Sequence, residues 1–144
     1  MSRLEDRQGQ NVEVVRQGVE AYQRGDLEGV FALAHEDFEI FLPQNLPNSG
    51  RYVGRDGFLT WMGQWLDAWE DFTIEITEME PAGERHVITK IRQSGRGKGS
   101  GIPVEMHIAY MWEVRDGRFA AVHLYASREE AVRVAEARER EGPQ

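Results

Sequence analysis

The chain has 144 residues, 40% apolar and 10% aromatic, with a formal net charge of -8 and an isoelectric point near 5.0. That is apolar material for one compact domain, 1–144, too short for two, and its acidity argues against nucleic acid and anionic membranes, which are drawn to basic patches. No cysteine is present, so disulfides and thiol chemistry are excluded, and without an apolar leader or a run of about 18 apolar residues a cytoplasmic location is expected.

Residues 1–10 read as a polar tail ahead of a domain core over about 11–135. Val12, Val15, Val19 and Tyr22 then recur at spacings of three and four, which predicts a helix over about 11–24 with one buried stripe, ended by Gly25. Asp26 is placed to cap a short second helix whose apolar face is Leu27, Val30, Phe31 and Ala34. Residues 38–42 read as a strand stopped by Pro43, and 43–54, rich in proline, asparagine and glycine, as a long loop of the kind that covers binding sites. A third helix is expected over about 56–69. Phe58, Trp61, Met62, Trp65, Leu66 and Trp69 share one face of it, a stripe that suits either core packing or a cavity wall.

Four strands follow near 72–80, 86–94, 104–114 and 118–126. In the third of these, one face reads Met106, Ile108, Tyr110, Trp112, Val114 and the other Glu105, His107, Ala109, Met111, Glu113, the alternation of a long, half-buried strand. Tyr110 and Trp112 are bulky rings with polar tips, which need a partner or a cavity when buried. Asp116-Gly117 supplies a positive-φ hairpin turn. Residues 94–101, SGRGKGSG, mix glycines with Arg96 and Lys98, but a strand rather than a helix follows, so they read as a hairpin and not a phosphate loop. Ser127 and Glu130 have capping-box spacing at the start of a C-terminal helix over about 127–140.

Several short matches resemble the SnoaL-like subgroup of the nuclear transport factor 2-like superfamily: Arg24-Gly25-Asp26-Leu27, Phe41-Leu42-Pro43, Tyr52-Val53-Gly54-Arg55, Trp112 with Asp116-Gly117, and Tyr125 with Arg128-Glu129-Glu130-Ala131. The resemblance implies an α+β fold. Its architecture is a cone-shaped roll of a strongly curved mixed, mostly antiparallel sheet, closed by three N-terminal helices, plus a C-terminal helix. It also implies a deep apolar pocket, a homodimer formed through the outer sheet face, and a family repertoire that includes ketosteroid isomerases and polyketide cyclases. Carried over by position, the isomerases' general-base aspartate falls at Leu42, their carbonyl-polarising tyrosine at Gly18 and their second donor near Tyr110. The cyclases' acid falls near Leu124 and their histidine near Tyr110 or Trp112. Of the three isomerase positions, only Tyr110 keeps a group that can donate.

The expected pocket is walled by Tyr22, Leu42, Gln44, Trp61, Trp65, Tyr110, Trp112 and Leu124, with Asn45 beside Gln44 in the loop. Catalytic candidates are Tyr110, as donor to a carbonyl, and His86, as a base if its strand face is concave; the opposite face, Val87, Thr89 and Ile91, is the more apolar. His35 reads as a dipole partner at the end of the second helix, and His107 and His123 lie opposite the pocket face. No ligand spacing supports a metal site, and no cofactor is expected. Three functions stay open: a pocket for a small hydrophobic or aromatic metabolite, an isomerase-, cyclase- or hydrolase-type enzyme acting on a carbonyl compound, and a dimeric association module with a filled pocket.

Overall fold

The computed structural model describes residues 3–42 and 49–141, apart from the side chain of Trp65. The first helix, α1 (Arg3–Gln23), begins well before the expected start near Asn11, so the polar segment is a helical extension rather than a tail. It turns Val15 and Val19 into the core. Gly25, at φ 75°, donates its N–H to the Tyr22 carbonyl (3.0 Å) and stops the helix. The Asp26 carboxylate accepts the Gly29 N–H (2.9 Å) and caps α2 (Leu27–Ala32).

The chain continues through β1 (Ala34–Leu42), β2 (Gly50–Val53), α3 (Gly54–Ala68), β3 (Trp69–Ala82), β4 (His86–Gly97), β5 (Pro103–Arg115), β6 (Arg118–Tyr125) and α4 (Arg128–Glu141). β2 lies inside the segment expected to be a loop and pairs antiparallel with β1. The six strands form one open sheet in the order β2-β1-β6-β5-β4-β3, antiparallel throughout except at β1–β6. Register breaks in β3 (between Glu70 and Thr73, and Ile76 and Glu78) and in β6 (at Ala120, opposite Glu113 and Val114) each add local bend and twist. The β5–β6 turn takes positive φ at Asp116 and Gly117, and residues 98–102 close the β4–β5 hairpin.

The sheet curls around α1, α2 and α3, and the main core fills its concave face. A second, smaller core lies on the convex face, where Ala131 and Ala135 of α4 cover Ile88, Ala109 and Met111. Ser127 accepts the Glu130 N–H at the start of α4 (3.2 Å). At its other end, Glu139 accepts the backbone N–H groups of Glu84 and Arg85 (3.0 Å each) and the His86 ring N–H. With Arg128 paired to Glu78 and Glu80 at its start, α4 is pinned at both ends.

Candidate functional site

Strand alternation sends Thr89, Ile91 and Gln93 of β4, Tyr110 and Trp112 of β5, and Val122 and Leu124 of β6 to the concave side. Helices α1 and α3 close over them with Gly18, Tyr22, Phe58 and Trp61. Between them lies an inner chamber of about 50 Å³. A Cβ on Gly18 would come within 2.8 Å of the fully buried Phe119 ring, so this glycine sets how closely α1 approaches the sheet.

The polar atoms of this interior form two separate hydrogen-bonded pairs. Gln93 donates its side-chain N–H to the Tyr110 hydroxyl (2.8 Å), and Trp112 donates its indole N–H to the Thr89 hydroxyl (3.0 Å). Both bonds are buried, where an unmade one would be expensive. Two atoms remain without a partner among the described residues, the Trp61 indole Nε1 and the Gln93 carbonyl Oε1. Buried polar atoms are normally satisfied, so these two are exceptions within the core. Burial, with Tyr22 nearby, pushes the Tyr110 hydroxyl far above its ordinary pKa while the Gln93 bond pulls the other way. It stays protonated and able to donate.

The arrangement can hydrogen-bond and polarise an oxygen. No carboxylate or imidazole stands among the residues lining the chamber, so its described wall offers no group to accept a proton.

Tyr22, Trp61, Tyr110, Trp112 and Leu124 line the chamber. Leu42 is buried in the same core without lining it. Gln44 and Asn45 lie outside the described residues, as does the Trp65 side chain. The aromatic stripe of α3 divides: Phe58 and Trp61 are buried, Leu66 is 48% exposed, and Trp69 has passed into β3.

His86 is not in the pocket. It is buried on the convex side, bonded to Glu139, because β4 turns the face of Val87, Thr89 and Ile91 inward. His35 belongs to β1, not to the end of a helix, and bonds the Arg115 carbonyl through Nε2 (2.7 Å). His123 is stacked flat on Phe41 (ring centroids 4.3 Å apart), and His107 is exposed beside Glu105. Among the described residues no three His, Asp or Glu side chains are grouped to hold a metal.

Sequence reasoning passed over Gln93. The available signal was its parity, since the inward face of Thr89 and Ile91 reaches Gln93 two residues on.

Residues 15–122 match the SnoaL-like domain family. No curated protein sequence matches significantly. Among solved structures, an NTF2-like protein from Burkholderia thailandensis is similar with a TM-score of 0.74 at 22% identity, over 89% of this chain and 96% of that one. TerC, co-crystallised with polyporic acid, gives 0.72 at 16% identity, over 88% and 98%. A hypothetical protein with a ketosteroid isomerase-like fold from Catenulispora acidiphila, in complex with trimethylamine, gives 0.67 at 19%, over 87% and 92%. At these identities the likeness is one of fold.

Proposed function

The chain belongs to the SnoaL-like domain family, and on that fold we propose that it binds a small, neutral, apolar molecule carrying one hydrogen-bond-accepting oxygen, which the Tyr110 hydroxyl receives inside the cone. The observation that carries this reading is Tyr110, its hydroxyl held by Gln93, in the wall of an otherwise apolar chamber that Trp61 also lines. A charged ligand is disfavoured, because no counter-charge lines the chamber and an unpaired ion in such surroundings carries a large desolvation penalty. A ketone or phenol suits it better: its oxygen takes the Tyr110 O–H while its carbon frame replaces water against Trp61, Trp112 and Leu124.

The test is a fluorescence titration with the neutral naphthyl ketone 6-propionyl-2-dimethylaminonaphthalene, whose emission shifts to the blue on burial, alongside 2-dimethylaminonaphthalene, which lacks the ketone. Tyr110→Phe is expected to weaken the ketone about 2- to 10-fold, the worth of one neutral hydrogen bond, and to leave the ketone-free compound unaffected. Equal weakening of both would reduce Tyr110 to a packing role, and failure of both to bind the native chain would sink the reading.

The expected homodimer is proposed in a narrower form. α4 occupies the convex face over Ile88, Ala109 and Met111, so a second copy would pack on the aromatic strip beside it, Phe41, His123 and Tyr125, which stack in a row.

A further inference from the structure

The inner chamber is too small for the ligand class it is suited to. Its free volume of about 50 Å³ is a third of the roughly 150 Å³ that an engineered apolar cavity offers when it takes up benzene. A much larger groove of about 510 Å³ lies on the other side of two residues, Tyr22 and Ile74, which line both spaces. Its walls include Leu27, Met62, Leu66 and Phe72, and Leu66 is exposed there.

The partition between the spaces is of a kind that can move. Tyr22 lies in the last turn of α1, half-buried, with its ring edge-to-face against Phe58 (centroids 6.2 Å apart), and no hydrogen bond holds its hydroxyl among the described residues. Ile74 belongs to an edge strand and falls between the two register breaks of β3. One polar contact ties the two sides together: Gln23, next to Tyr22, donates its side-chain N–H to the Ile74 carbonyl (2.8 Å).

We propose that Tyr22 and Ile74 form a gate latched by Gln23, and that its opening joins chamber and groove into one site for an elongated, neutral, aromatic molecule whose oxygen sits at Tyr110 and whose ring system rests in the groove against Met62, Leu66 and Phe72. This rests on the reading of the chamber given above and adds where the ligand enters and where its bulk lies. The Tyr110 hydroxyl, held by Gln93, marks the polar end, and the groove is the adjoining apolar space large enough for the remainder.

Stopped-flow binding of 6-propionyl-2-dimethylaminonaphthalene separates the parts. Gln23→Leu, at an exposed position, is expected to raise the association rate and the affinity together by about 5-fold, as loss of one neutral hydrogen bond from the closed, ligand-free state does, with the dissociation rate held within about 2-fold. Tyr22→Ala is expected to accelerate association further. Leu66→Glu, also at an exposed position, sets a charge against the ring system and is expected to weaken binding about 10-fold. Native rates in Gln23→Leu and Tyr22→Ala overturn the gate, and if the Tyr110→Phe effect persists there, the chamber reading survives alone. Native affinity in Leu66→Glu, with association and dissociation raised together in Gln23→Leu, makes the groove a passage and overturns the seat. Binding by neither the native chain nor Tyr22→Ala overturns both proposals. Gln23→Leu and Leu66→Glu decide the matter even where Tyr22→Ala fails to fold.

Discussion

The Gln93 N–H and the Tyr110 oxygen pair in the buried core, so their contributions to stability are coupled. Tyr110→Phe leaves the Gln93 amide buried without its partner and is expected to destabilise by about 1–3 kcal/mol, whereas Tyr110→Phe with Gln93→Leu removes both polar groups and recovers much of the loss. Urea midpoints of the single and double variants decide it; equal midpoints for the two would show the amide to be indifferent to its partner. His123 supplies a pH dependence. Burial, with Arg138 and His86 nearby, pulls its pKa from 6.5 down to about 4. The unfolded chain therefore binds the proton more readily, so the stability due to a neutral His123 is complete above about pH 6.5 and is lost as pH falls toward 4. Glu139 acts in a lower window. Burial alone would raise its pKa, but hydrogen bonds from His86, Glu84 and Arg85 outweigh this and bring it below 4.5. Its contribution is present above pH 4.5 and fades below. His123→Phe should flatten the loss between pH 6.5 and 4 in urea titrations and leave the more acidic limb in place. Tyr110 as an inward donor was legible from alternation. The inward position of Gln93 was legible too, but its bond to Tyr110 was not, because parity fixes a face and not which side-chain tips meet.

At the level of elements, α1 and α4 differ in how much the sequence disclosed. The stripe of Val15 and Val19 located α1, and Gly18 shows how tightly it seats: its added Cβ would press on a Phe119 ring that is 1% exposed and has little room to withdraw. Gly18→Ala is expected to lose about 1–3 kcal/mol by overpacking despite the better helix propensity of alanine, measurable as a lower urea midpoint. The role of α4 was less visible, since Ala131, Val134 and Ala135 offer so little apolar surface. Small residues are what let a helix lie close on a sheet, and here they bury Met111 completely. Met111→Glu, a natural choice for splitting a dimer if Met111 faced outward, is instead expected to destabilise the chain by more than about 3 kcal/mol through an unpaired buried carboxylate. β2 escaped notice because four residues after a proline- and asparagine-rich segment carry no alternation strong enough to register; its partner β1 defines it.

For the whole molecule, the sheet joins distant parts of the chain at β1–β6, where the first strand lies parallel to the last. That closure aligns Phe41 with His123 on the convex side, and Arg51 from β2 stands over the Phe41 ring (5.9 Å). A dimer through this face uses that strip, so Phe41→Glu is expected to give a folded monomer in sedimentation velocity. A persisting dimer would move the interface elsewhere, and a native monomer would remove it.

What the sequence determined by itself is whatever short-range periodicity and turn chemistry encode: the helix stripes, the inward face of β5, the Asp26 cap, the Asp116-Gly117 hairpin and the family motifs. Tertiary structure alone decided which way His86 points, since both faces of β4 are buried, one by the main core and the other by α4, and apolarity no longer separates inside from outside. It also decided that the chamber is small, that its polar atoms are only partly paired, and that a groove lies behind Tyr22. Free volume and hydrogen-bond partnership belong to the packing of elements far apart in the chain, and no local pattern carries them.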